Sequence, residues 1–161
     1  MTIGVQNRRS FRPSDDFKIT LSGDYYRYND DTALAWSLNP DYLGAGGTRS
    51  VGTMDTNANA PSLSRVRTWG VSLTTEADMG FANLASISSM RDSENRSNFD
   101  PDAGPLPLAR IGLTSGSRAY QQELSLASVS TRPFSWQIGG FYLRSEVTND
   151  IRIDGIAFSG P

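Results

Sequence analysis

The sequence predicts an all-β fold, an antiparallel meander of about six long strands that makes up a segment of a transmembrane β-barrel. Three observations carry that expectation. Apolar and polar residues alternate with period two in several stretches. Several of those stretches run past about ten residues, where strands of soluble sheets are typically ~5–6. The connections between them alternate short, long, short, long, short, as a barrel with turns at one rim and projecting loops at the other requires.

Taken in order, residues 3–11 are read as a first strand, though their alternation is poor. RPSDD, residues 12–16, is a tight turn, because Pro fixes φ and Asp side chains bond nearby backbone. FKITLSGDYYRYND, residues 17–30, sets Phe17, Ile19, Leu21, Gly23 and Tyr25 on one face and Lys18, Thr20, Ser22, Asp24 and Tyr26 on the other. Residues 31–63, which include LGAGGTRS and MDTNANAPS, lose this period and read as a loop of about thirty residues, far above the usual ~4–6. The next pair surrounds the break EADMG, residues 76–80; Trp69, Val71 and Leu73 oppose Thr68, Gly70, Ser72 and Thr74. The return strand, 81–91, has mixed alternation and its faces stay unassigned. Residues 96–117, rich in Pro, Gly and Asp, read as a second long loop. Then Tyr120, Gln122, Leu124 and Leu126 alternate with Ala119, Gln121, Glu123 and Ser125. A turn at 128–133 leads into a return strand over 134–147, and 148–161 reads as the start of a further loop.

Composition removes several kinds of chemistry. The chain has no Cys and no His, so disulfides, thiol nucleophiles, imidazole bases and His-containing metal sites are absent. Lys18 is the sole lysine, and the net charge of -2 does not suit a phosphate-backbone binder, so no nucleic acid is expected. No apolar run reaches the ~18 residues of a transmembrane helix, and TIGVQNRRS after Met1 has no signal-peptide core. Barrel strands leave no such hydropathy peak. The strand faces fit a barrel: small and hydroxyl residues (Thr20, Ser22, Ser72, Thr74, Ser125) suit a lumen. Aromatics near strand ends (Phe17, Tyr25, Trp69, Phe81, Phe134, Trp136, Tyr142) suit interfacial girdles. Trp136, Ile138 and Tyr142 are expected to face lipid, with Gln121, Glu123 and Ser125 facing the lumen.

YQQELSLAS followed by PFSWQIGGFYLRSE resembles the barrel of TonB-dependent outer-membrane receptors. Gln122, Glu123, Leu124, Leu126, Ala127 and Ser128 carry the first half, and Trp136, Gly139, Gly140, Phe141 and Tyr142 the second. RPSDDFKITLSGDYYRYND resembles a hairpin of that family, and LASISSMRDSE one of its strands, with Met90 where an aromatic is more usual. The likeness covers roughly residues 8–30, 64–95 and 117–147. It implies one partial barrel domain over 1–161, with no plug domain, no signal peptide, no energy-coupling box and no terminal aromatic strand. A barrel of about twenty-two strands is not closed by six, and open edges are not tolerated in lipid, so the chain is expected to be a fragment.

The resemblance further implies that the parent takes up a scarce ligand, a ferric siderophore or similar, a glycan or cobalamin, across the Gram-negative outer membrane. Its partners would be membrane lipid, lipopolysaccharide, the plug domain and the TonB complex, with loops 31–63 and 96–117 as capture surface. No catalytic, cofactor or metal residues are expected. Asp100 and Asp102 in NFDPDAGP are spaced like calcium ligands, without the remaining ligands of a site. Asp30 and Asp31 mark a strand leaving the membrane. Arg65, Arg67, Arg91, Arg96, Arg118 and Arg144 are candidates for lipopolysaccharide phosphates or an anionic ligand, set against snorkelling and cross-strand pairing with Glu94, Glu123 or Glu146. Gln121 and Glu123 are candidates for plug contact. LGAGGTRS lacks the Lys and helix of a phosphate loop. The alternative from another class is a soluble all-β ligand- or carbohydrate-binding module, with Leu21, Trp69, Leu124 and Ile138 buried between two sheets. A β-rich hydrolase lacks a carboxylate pair at workable spacing.

Overall fold

A computed structural model describes residues 1–31, 58–101, 104–105, 107–129 and 134–155. Six strands account for most of them: β1 (Thr2–Ser14), β2 (Phe17–Asp30), β3 (Leu63–Asp78), β4 (Ala82–Phe99), β5 (Arg110–Ser128) and β6 (Gln137–Asp154). They lie in one antiparallel sheet in sequence order, β1-β2-β3-β4-β5-β6, and no helix occurs among the described residues. The sheet does not close on itself: β1 and β6 are its two edges. An open meander of this kind has the form of a barrel segment.

One layer of sheet buries little side chain. Among the described residues, Ala60 and Ala82 are the buried apolar side chains, and Leu21, Leu124 and Ile138 remain 55%, 49% and 66% exposed. No second sheet covers them among the described residues. Order therefore comes from backbone ladders. β4 and β5 pair without a break from Ala82↔Ser128 to Phe99↔Ile111, and β3 and β4 from Leu63↔Asn98 to Asp78↔Asn83. A single irregularity, between Phe11 and Ser14, interrupts β1 where Pro13 supplies no ladder donor.

The short connections follow from their residues. Between β3 and β4 the Asp78 carboxylate accepts from Gly80 N at 2.8 Å, and Met79 N donates to Ala82 O at 2.9 Å. Gly80 sits at φ +77°, a left-handed conformation that glycine adopts without a Cβ penalty. At the third connection Ser128 N donates to Trp136 O, and Trp136 N donates to Ser128 Oγ, both at 2.8 Å. The residues of that turn from 130 to 133 lie outside those described.

Four boundaries differ from the sequence expectation. The loop expected over 96–117 is mostly strand, since β4 continues to Phe99 and β5 begins at Arg110. Ser, Asn and Gly hide the period there, but the backbone ladder continues through Arg96↔Thr114 and Asn98↔Gly112. The tail expected to become loop after 147 stays in β6 to Asp154, paired through Ile153↔Ile111. Asn149, Asp150 and Asp154 read as turn formers, yet Val147, Ile151 and Ile153 keep the alternation. β6 begins at Gln137 rather than 134, and β1 runs through the expected turn to Ser14. Most of the loop expected over 31–63 lies outside the described residues.

The two adjacent glycines of β6 differ in their surroundings. A Cβ on Gly139 would meet the backbone oxygen of Leu124 at 2.8 Å, whereas one on Gly140 meets nothing within 4 Å. Gly139→Val is expected to destabilise the β5–β6 ladder by about 1–3 kcal/mol, the usual cost of overpacking, and Gly140→Val to leave it within about 0.5 kcal/mol. Amide exchange along β6 measures both. Equal protection in the two variants would show that the backbone contact does not constrain the site.

Candidate functional site: two unlike faces of one sheet

Residues directly opposite across an antiparallel ladder point to the same side, so the register sorts every strand residue onto one of two faces. The first face runs in rows. Phe17, Ala77, Leu84, Leu126 and Ile138 form one; Ile19, Thr75, Ser86, Leu124 and Gly140 the next; then Leu21, Leu73, Ser88, Gln122 and Tyr142. Above them lie Gly23, Val71, Met90, Tyr120 and Arg144, and above those Tyr25, Trp69, Asp92, Arg118 and Glu146. Over β2 to β6 the face is apolar towards the short turns and charged towards the long connections, whereas on β1 it carries Arg9 opposite Leu21 and Asn7 opposite Gly23. Ile138 and Tyr142 fall on it beside Leu21 and Leu124, as expected; Trp136 precedes β6.

The last apolar residue before the charged zone is Tyr25 on β2, Trp69 on β3, Met90 on β4, Tyr120 on β5 and Tyr142 on β6. That boundary slips two rows between β2 and β6, about 13 Å along the strands against about 19 Å across them, a slope of about 35°. Strands of outer-membrane barrels tilt by ~35–45° from the membrane normal. Phe17 to Tyr25 covers about 27 Å of strand, or roughly 20 Å of height at that tilt, close to the ~25 Å apolar band of such barrels.

The second face is mostly polar over β1 to β5, with Ile87 among the polar rows and Phe99, Ile111 and Leu113 at the end towards the long connections. Ser10, Thr20, Thr74 and Glu123 share it with Arg8, Ser22, Ser72, Ser89 and Gln121. Gln121, Glu123 and Ser125 are there, as expected. Ser10 Oγ and Thr20 Oγ1 lie 3.0 Å apart, and Thr68 Oγ1 donates to Ser93 Oγ at 3.2 Å. β6 departs from the pattern: Phe141, Leu143, Val147, Ile151 and Ile153 make an exposed apolar strip on this face. The sequence shows that strip only once the strand is known to reach 154.

The arginines separate by face and by partner. Arg91 lies on the polar face, where Nη1 and Nη2 reach Asp24 at 3.0 and 2.7 Å in a bidentate pair. The pair spans β3 at Gly70, where a Cβ would stand 2.9 Å from Arg91 Nη2. On the apolar–charged face Arg67 pairs with Glu94 at 2.9 Å, Arg96 with the same Glu94, Arg118 with Asp92 at 2.9 Å and Arg144 with Glu146. The cross-strand pairing expected at Glu94 is found with Arg67, whereas Glu146 pairs within β6; Asp24 and Asp92 were missed, because register alone brings them beside arginine. Glu123 forms no ion pair, and neither does Arg65, among the described residues.

The acidic candidates do not assemble into a site. Asp100 is buried and accepts from Asn59 N at 3.1 Å, while Asp102 lies outside the described residues. The connection that follows β4 touches the residues just before β3, since Asn59 N also donates to Gly104 O at 2.9 Å. Asp30 accepts from Tyr28 Oη at 2.5 Å, and Asp31 is exposed just past the end of β2. Among the described residues no group of three His, Cys, Asp or Glu is placed to hold a metal ion. LGAGGTRS is outside the described residues.

A double-mutant cycle on Asp24→Asn and Arg91→Gln is expected to give a coupling of about 1 kcal/mol, the upper end for exposed pairs because two parallel hydrogen bonds form. Unfolding midpoints of the four proteins measure it; a coupling of zero would mark the pair as incidental. Comparison with protein-family models, with curated proteins and with solved structures finds no match to the chain.

Proposed function

We propose that the chain is a segment of the barrel of a TonB-dependent outer-membrane receptor, with its apolar face towards lipid and its hydroxyl-rich face towards the lumen. The observation that carries this reading is the slanted apolar band. A soluble module turns its apolar face inward under a second layer, and its boundary has no reason to run obliquely to the strands. A membrane barrel needs both an exposed band and a slope equal to the strand tilt. The residue likeness at 121–128 and 136–146 supplies the family.

In this reading the whole protein takes up a scarce ligand, a ferric siderophore or a chelate like it, and the TonB system supplies the driving force. The residues between β2 and β3 and those between β4 and β5 form capture surface on the outer side. The plug domain of the parent fills the lumen and covers the apolar strip of β6, which water would not favour. The edges β1 and β6 pair with the strands that precede and follow.

Reading the gene on both sides of these codons tests the assignment most directly: a plug domain upstream and an aromatic-ended strand downstream are expected. A physical test is independent of the gene. In the complete barrel, Leu124→Arg is expected to lower membrane-folding stability by about 2–4 kcal/mol, while Gln121→Arg changes it by less than about 1 kcal/mol. Equal effects at the two positions, measured by denaturant titration in vesicles, would remove the lipid-facing assignment.

A further inference from the structure

We infer that Arg9 of β1 is held on the outer face of the barrel by a carboxylate of the strand that precedes β1, placed directly opposite it across the ladder. The inference rests on the outer-membrane placement proposed above. Arg9 lies opposite Leu21 on the apolar face, and Asn7 lies opposite Gly23 one row further on. Leu21 is the middle row of the band that runs from Phe17 to Tyr25. Either edge of the band is therefore about 13 Å away along the strand, further than an arginine side chain extends. Snorkelling does not bring this guanidinium to water. An arginine at the midplane of a lipid-facing strand is among the most costly residues a barrel carries.

The described strands hold no carboxylate for it. β1 contains Arg8, Arg9 and Arg12 and neither Asp nor Glu. Across the ladder β2 brings Phe17, Ile19, Leu21 and Gly23 to this face, and its nearest titratable group there is Tyr25, two rows away. Arg9 forms no ion pair among the described residues. β1 is an edge of the sheet, so its free ladder is the side still open to a partner.

The other ion pairs indicate where that carboxylate sits. Between neighbouring strands Lys18 pairs with Glu76, Arg67 with Glu94 and Arg118 with Asp92. In each the two residues are directly opposite across the ladder. The same geometry on the far side of β1 puts an Asp or Glu of the preceding strand against Arg9. The contact also fixes register. From Gln6 to Ser10 β1 is polar on both faces, and a strand polar on both sides specifies its pairing weakly. A slip of one residue carries the carboxylate to the lumen side and leaves Arg9 alone in lipid, so the pair selects one register.

The test uses the complete barrel protein that contains these strands, inserted in phosphatidylcholine vesicles and unfolded with urea at neutral and at acid pH. R9L is expected to lower the folding equilibrium constant at neutral pH by about tenfold or more, because it leaves a carboxylate unpaired in the apolar band. In wild type the pair keeps that carboxylate ionised, so its contribution is present at neutral pH and lost as the pH falls. In the variant the carboxylate is more readily protonated, and the difference between the two proteins shrinks in acid. R9K is expected to keep most of the stability, and R9Q repeats the comparison should R9L not fold. Replacing the carboxylates of the preceding strand one at a time by their amides is expected to reveal one that couples to Arg9 by about tenfold. A gain in stability in R9L means bare lipid contact and overturns the pair. So does a loss equal at both pH values, or the absence of any coupled carboxylate; in each case insertion of wild type leaves the outer-membrane reading standing. Failure of wild type to insert, or a gene with no strand before β1, removes this pair and the outer-membrane reading together.

Discussion

The whole structure depends on satisfying backbone hydrogen bonds with neighbouring strands alone. Among the described residues there is almost no core to help: the sheet is a single layer, and large side chains are exposed on both sides. Each N–H and C=O in lipid without a partner would cost several kcal/mol, so a sheet in that setting needs continuous ladders. The ladders of β2 through β6 have no register shift. Continuity has a second effect. With no bulge to exchange the faces, the alternation written into one strand is carried across all five.

That fixed parity lets small sequence differences accumulate into two surfaces. Leu21, Leu73 and Leu124 gather on one side while Ser22, Ser72 and Gln121 gather on the other. The charged zone above the band holds cross-strand pairs, such as Arg118 with Asp92, and pairs within one strand, such as Arg144 with Glu146. Exposed pairs of this kind contribute ~0–1 kcal/mol each, so stability does not explain their number. They neutralise charge near an apolar boundary. The apolar strip of β6 on the polar face has a different meaning. It calls for a covering chain on that side of the sheet.

Much of the fold was legible because period two survives wherever one face must be apolar. Phe17 to Tyr25 and Tyr120 to Leu126 needed no more than that pattern. The order of turns was legible from Pro13, Asp15, Asp16 and Gly80. Strand ends were not, where Ser, Asn, Asp and Gly in 96–99 and 110–117 look like loop but pair as strand. Their ordering comes from the neighbouring ladder, which local propensity does not record. The same holds for the charged surface. Arg67 and Glu94 are 27 positions apart, and Arg91 and Asp24 are 67 apart. Such pairs exist only in a particular register, so sequence named the arginines without sorting their faces or partners.

The strands rise unequally beyond the apolar boundary. β2 continues from Tyr25 to Asp30, whereas β6 continues from Tyr142 to Asp154. At ~3.3 Å per residue those extensions measure about 17 Å and about 40 Å along the strand. In an outer-membrane setting the rim is then a stiff parapet, low at β2 and β3 and tall at β5 and β6. Approach to the lumen from outside would in that setting be directional, with ordered sheet rising higher on one flank than on the other.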